Sequence, residues 1–316
     1  MFLFISLNTF SCGYSLWDGM SFYNLFDQTN ISAEEYYPFL KTEYSNFYGE
    51  RYGTNSTSTT NGNLLLWKEL LTDWELDDIQ KAVYEFPTFS WILRNSSVEY
   101  STRQYLEFAQ ECTDAFRYRN NRRSWDYNDL SNQKEIDTGA LLSKANLLLN
   151  NETIEQIKYR YYYQLIRILH YSKSWNDAIM LFESKIENTM PKNELYYYIL
   201  DQVAGCYYST ENYEKAAYLF TKVFNKSYDR KKSAFASYNF CVRKGFEGKQ
   251  YFNGIDDEKD LLLIKSLYNF SDRISNINEF IKLDANDSRV ELLFMRLLNV
   301  TERKVWPKHI GIANKS

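Results

Sequence analysis

Histidine is the side chain best suited to moving protons near neutral pH, and this chain has it only at His170 and His309. His170 is flanked by Leu169 and Tyr171 in an apolar helical stretch, where an imidazole packs rather than catalyses, and His309 falls in the C-terminal tail. The cysteines, Cys12, Cys112, Cys206 and Cys241, lack the CxxC spacing of a metal or redox centre. Cys206 sits between Gly205 and Tyr207, and Cys241 closes the apolar series Ala234, Tyr238, Cys241, so both read as small buried hydrophobes. Acidic groups occur at Glu34-Glu35, Asp77-Asp78 and Asp256-Asp257-Glu258. The last two start helices, where carboxylates complement the macrodipole without any need of catalysis or calcium. The chain has no GxSxG, HExxH, GxxxxGK(S/T) or GxGxxG, which removes the footing for hydrolase, zinc-protease and nucleotide-binding chemistry. The expectation is a protein that is not an enzyme and has no cofactor and no metal site. Two clusters are left that could bind rather than react. Arg117, Arg119, Arg122 and Arg123 could meet an acidic partner or phosphate, although such a run is ordinarily a solvated turn. The run Tyr159 to Tyr163, with Arg160 inside it, could face a peptide or glycan, with half of it consigned to the core by helical spacing.

The elements that position these residues are helical. Aromatics make up 18% of the 316 residues, while Gly (11) and Pro (4) are scarce, as suits stacked helices whose grooves need filling. A formal net charge of −4 leaves no basic field for nucleic acid, so no nucleic-acid partner is expected. A helix pair recurs between Tyr159 and Phe224. The first copy reads YRYYYQLIRILHYSKSWNDAIMLFESKI and the second YYYILDQVAGCYYSTENYEKAAYLFTKVF. Their second helices superpose, Trp175, Ala178 and Phe182 on Tyr213, Ala216 and Phe220; Ala204, Gly205 and Tyr207 supply a small-small-aromatic element in the first helix of the second copy. Ala178 and Ala216 lie 38 residues apart, a few more than the ~34 of an ideal pair, so the surplus around Met190-Pro191-Lys192 lengthens either a helix or the connection.

This pattern resembles the tetratricopeptide repeat. The resemblance implies an all-α, right-handed superhelical solenoid in which Trp175, Ala178, Phe182, Ala204, Gly205, Tyr207, Tyr213, Ala216 and Phe220 pack helix on helix. Helices are expected from Leu64, from Asp77 and from Ser101, and then at about 152 to 172, 174 to 188, 193 to 209, 212 to 227, 229 to 246, 257 to 270, 275 to 284 and 287 to 305. A third pair begins after Tyr228. The polar tract TNSTSTTNGN (54 to 63) reads as a solvated loop. The expected organisation is a leader over 1–12, an irregular aromatic-rich N-terminal region over 13–130, the repeat array over 131–305 and a tail over 306–316.

Met1 to Ser11, MFLFISLNTFS, followed by Cys12-Gly13, resembles a bacterial lipoprotein signal, which implies lipidation at Cys12. It lacks a basic residue ahead of the apolar run, and the other reading is a buried N-terminal strand or helix. No other segment approaches the ~20 apolar residues of a membrane span, so the membrane is expected to be touched only through Cys12. With the signal the location is the cell envelope, periplasm or outer membrane; without it, the cytoplasm. The lipobox-like Cys, the segment WKELLTDWELDDIQKAVY and the run FIKLDANDSRVELLFMRLLN (280–299) together resemble large secreted or lipid-anchored helical-repeat proteins of Gram-negative bacteria. That resemblance implies that the chain is an N-terminal portion. In keeping with it, Leu292, Leu293, Phe294, Leu297, Leu298 and Val300 cover more than one stripe of the last long helix, so an exposed apolar patch and self-association through that helix are expected. The functional expectation is a non-enzymatic protein-protein interaction scaffold of the envelope, binding a peptide or protein partner on its helical surface. The alternative is a glycan- or nutrient-binding lipoprotein that stacks sugars on aromatic platforms. Clustered exposed rings at Trp67, Trp74, Trp91 and Trp125 would favour the glycan, and buried rings the scaffold.

Overall fold

The computed structural model describes Tyr36, Phe39 and residues 62–84, 100–117, 136–267 and 272–305, and among these there are twelve α-helices and no strand. The protein is all-α. Its chain divides into two compact units, Thr59–Ile264 and a second made of Met1–Ser58 with Lys265–Ser316.

The larger unit holds α1 (Gly62–Leu70), α2 (Leu76–Tyr84), α3 (Tyr100–Arg117), α4 (Thr138–Asn151), α5 (Glu155–Tyr171), α6 (Trp175–Lys185), α7 (Glu194–Ser209), α8 (Tyr213–Lys226), α9 (Lys231–Val242) and most of α10 (Ile255–Leu267). Local chemistry sets many of their starts. Asp137, Asn193 and Asn212 accept the backbone N–H of Ala140, Tyr196 and Lys215, at 2.8, 3.3 and 3.2 Å, and so satisfy donors that the first helical turn leaves open. The Asp137 cap opens α4, a helix absent from the expected series, which passes from the helix at Ser101 to the one at about 152. Its buried face is thin, Leu141 and Ala145, so the apolar period that reveals the other helices is weak there. The expected loop over 54 to 63 gives up its last two residues, Gly62 and Asn63, to α1. The expected boundary near residue 130 falls in 118–135, outside the described residues; Trp67, Phe108 and Phe116 before it share one core with Leu141, Ile157 and Tyr161 after it.

One turn geometry recurs between successive helices. Where α5 turns into α6, Lys173 takes φ 66° and Ser174 N–H reaches back to Leu169 O at 2.9 Å. Where α7 turns into α8, Glu211 takes φ 63° and Asn212 N–H reaches Tyr207 O at 2.9 Å. Both are the left-handed closure that satisfies the last carbonyls of a helix, and both fall at the same place in their copy. After α9 the motif returns with the residue it prefers: Gly245 has φ 91°, and Phe246 N–H reaches Cys241 O at 3.2 Å. The first helices of the two copies, α5 and α7, pack directly on each other, and α7 packs in turn on α8 and α8 on α9.

In the smaller unit α11 (Arg273–Leu283) is capped by Asp272, which accepts Ser275 N–H at 3.1 Å, and it packs on α12 (Arg289–Val305). Arg273 Nε donates to Ser266 O at 3.1 Å and Arg296 to Leu267 O at 3.4 Å, two cations at the C-terminal carbonyls of α10. On α12 Leu292, Leu293 and Met295 are buried, while Phe294 is 44% and Leu298 38% exposed. No helix among the described residues is long and apolar enough to cross a membrane.

Candidate functional site

Helical spacing puts Arg160, Tyr163, Gln164, Arg167 and Tyr171 on one face of α5, and Leu195, Tyr198 and Gln202 on one face of α7. Because α5 and α7 are neighbours, the two faces form one wall. Asn63 and Trp67 of α1, Tyr84 of α2, Tyr105 and Thr113 of α3, and Asp229 and Arg230 ahead of α9 complete the lining of a cavity of about 450 Å³.

A chain of carboxylates holds this frame. Glu194, in the first turn of α7, accepts the N–H groups of Tyr228 and Asp229 at 2.9 and 3.1 Å and the Ser227 hydroxyl. Asp229, so fixed, accepts Gly62 N–H at 3.0 Å, Asn63 N–H at 3.1 Å and the Tyr198 hydroxyl at 2.9 Å, anchoring the N-terminus of α1 to the repeat. Gly62 is needed for this closeness, since a Cβ there would lie 2.7 Å from Glu194 Cγ.

Arg160 is the centre of the site. Its guanidinium lies 3.6 Å over the Trp67 ring and donates to Asn63 Oδ1 at 3.0 Å, yet the residue is only 3% exposed and its Nε has no acceptor among the described residues. Burial pulls its pKa down to about 10, against the opposing pull of Tyr105, Tyr84, Glu69 and Tyr198, so it is a cation at neutral pH. Tyr105, edge-on to Tyr161 at 5.2 Å, accepts from Gln164 Nε2 at 3.1 Å; burial pushes its phenol up to about 12 and keeps it neutral. Among the described residues Arg167 donates only to neutral acceptors, Thr113 Oγ1 at 3.3 Å and Gln164 Oε1 at 3.5 Å. Arg230 stacks 3.9 Å over Tyr198 and approaches Asp201 at 4.0 Å. Cations held over aromatic faces are the recurrent device of this cleft.

The residues predicted to pack the repeat stand behind this cleft rather than in it. Ala178, Phe182, Ala204, Tyr207, Ala216 and Phe220 are buried, and Trp175 and Tyr213 are half-buried, Tyr213 edge-on to Tyr208 at 5.1 Å. Gly205 faces His170 across the α5–α7 contact: a Cβ there would lie 2.8 Å from His170 Cε1. His170 shares a hydrogen bond of 2.6 Å with Gln202 Oε1, and burial holds its pKa below the usual value. Burial pushes Cys112, Cys206 and Cys241 up to about 12, leaving inert thiols. Asp257 does more than complement a helix dipole: it is buried, accepts Asn253 N–H at 2.7 Å and, with Asp260, receives the Lys222 ammonium. Among the described residues no three His, Cys, Asp or Glu converge as a metal site. Cys12, His309, Trp91, Trp125 and the arginine cluster after Arg117 lie outside the described residues.

Of the cleft residues, sequence reasoning singled out Trp67, and Arg160 and Tyr163 of the tyrosine run; it missed Arg167, Tyr198, Gln202, Asp229 and Arg230. A period-seven step from Arg160 would have found Arg167, and an i, i+4 reading of α7 would have paired Tyr198 with Gln202. Comparison with protein-family models, with curated proteins and with solved structures returned no match.

Proposed function

We propose that this protein is a non-enzymatic interaction scaffold, a superhelical array of the tetratricopeptide kind whose cleft receives a segment of a protein partner. The observation that carries the reading is the cavity of about 450 Å³ framed by the first helices of both copies, where aromatic rings and hydrogen-bonding side chains converge. That is the face a helical repeat turns toward its ligands. Trp67, 1% exposed, lies beneath Arg160, and Trp74 is half-buried against the core, so neither ring offers a sugar platform. This favours the scaffold over the glycan-binding alternative. With Cys12 lipidated, the scaffold would stand at the cell envelope.

Photocrosslinking in the native host tests the proposal. A benzophenone side chain at Tyr163 or Tyr198 should give adducts with protein at discrete masses, whereas the same group at Phe240, exposed and away from the cleft, should not. Retention on a glycan array together with no protein adduct from either cleft position would overturn it.

A further inference from the structure

We infer that the cleft is built to seat an oxyanion of its ligand, a carboxylate or a phosphoryl group, between Arg160 and Arg167. The inference deepens the preceding proposal and rests on its premise that the cleft is a ligand site. Arg160 and Arg167 stand two turns apart on α5, ~10.5 Å along the axis, with Gln164 between them, a spacing that flexible side chains of this length can close on one group or split between two.

Among the described residues neither guanidinium has a carboxylate partner. No carboxylate among the described residues lies within 4.0 Å of either one, and the charge that reaches Arg160 from Glu69 comes from farther away. A guanidinium carries five N–H donors. Among the described residues Arg160, almost wholly removed from solvent, places one hydrogen bond, on a neutral amide, and leaves its Nε without a partner. Arg167 finds a hydroxyl and an amide, both at long range. A buried cation left in this state is unfavourable unless something compensates it, and the planar fork of arginine matches the two oxygens of a carboxylate or phosphoryl group.

The cleft's own acid cannot serve. Asp229 already accepts two backbone N–H groups and the Tyr198 hydroxyl. With three arginines against one aspartate, the lining carries a formal charge of +2. Arg230 adds a third donor group whose Nε is likewise buried and unpartnered. The half-buried rings of Tyr163 and Tyr198, edge-on at 6.0 Å, form the wall against which the apolar part of such a ligand would lie.

The test uses the whole chain, with inorganic phosphate and citrate as probes against sodium chloride at matched ionic strength. At a hundredfold excess over its dissociation constant, the preferred anion should raise the Tm by ~5–10 °C beyond the chloride control. A shift with phosphate alone assigns a phosphoryl ligand, and a shift with citrate alone a carboxylate. Arg160→Met and Arg167→Met should each weaken anion binding at least ~10-fold by calorimetry. Arg160→Met should also melt at or above the wild-type temperature without anion, because methionine removes a buried cation that faces only a ring and a neutral amide and can itself pack on Trp67. If Arg160→Met does not fold, Arg167→Met, at a half-exposed position, decides the matter. No Tm response to either anion, or a full response kept by both variants, overturns the inference. Crosslinking to a protein partner that persists unchanged in both variants would sink the oxyanion seat alone. Anion binding without any protein adduct would instead sink the scaffold and leave the seat.

Discussion

Gly205→Ala sets two forces against each other at the contact between the repeats. In the interior of α7 a glycine costs ~1 kcal/mol relative to alanine, so propensity alone makes the substitution stabilising. Packing opposes it. The new Cβ would stand 2.8 Å from His170 Cε1 and 3.3 Å from Nε2, and the ring cannot easily retreat. It is held to Gln202 at 2.6 Å and lies nearly parallel to Tyr171, 9° between planes. Overpacking of this kind costs ~1–3 kcal/mol, so the net effect should be a loss of ~1 kcal/mol, or ~2–4 °C in Tm for a unit of this size. In a His170→Ala background the obstacle is gone, and the same Gly205→Ala should stabilise by ~1 kcal/mol. The four proteins form a double-mutant cycle, read by urea unfolding with far-UV circular dichroism, and the sign of the alanine effect should invert between backgrounds with a coupling of ~1–3 kcal/mol. An equal gain from Gly205→Ala in both backgrounds would refute the claim that α5 and α7 meet through this glycine.

Further outcomes follow from the same geometry. Lys173→Gly and Glu211→Gly should each raise stability by ~0.5–1 kcal/mol by relieving left-handed backbone, whereas Gly245→Ala should lower it by ~1 kcal/mol, all measurable by urea unfolding. Ala216→Trp, at a fully buried helix contact, should lose ~1–3 kcal/mol or more by overpacking, and an unchanged Tm would argue against the pairing of α7 with α8. Burial holds His170 below its unfolded pKa, so the unfolded chain binds the proton more readily. Stability contributed by the neutral ring is therefore present above ~6.5 and lost as pH falls. His170→Gln should flatten the fall in Tm between about pH 7.5 and about pH 5.5 relative to the wild type.

Much of the architecture was legible because it is local. The apolar period of α5 to α8, the Asn212 cap and the alanines at corresponding places in α6 and α8 are all set by residues within a turn or two of one another, and a repeat doubles each signal. The left-handed turns at Lys173 and Glu211 were not legible, since neither residue advertises a conformation that glycine usually takes. Nor was α4, whose buried stripe is too narrow to stand out.

The cleft was decided by tertiary structure. Asp229 meets Gly62 from 167 residues away and Arg160 meets Asn63 from 97, distances over which no periodicity in the chain links one residue to the other. The sequence by itself determined that α5 would carry arginine, tyrosine and glutamine on one side, because 3.6 residues per turn is a property of the backbone. Whether that side would face water, a carboxylate or a cavity depended on where α1, α3 and α7 came to rest against it. The fold buried Arg160 over Trp67 with no carboxylate beside it among the described residues, and that combination of charge and burial, which belongs to no segment of the chain, is what marks the face as a candidate site.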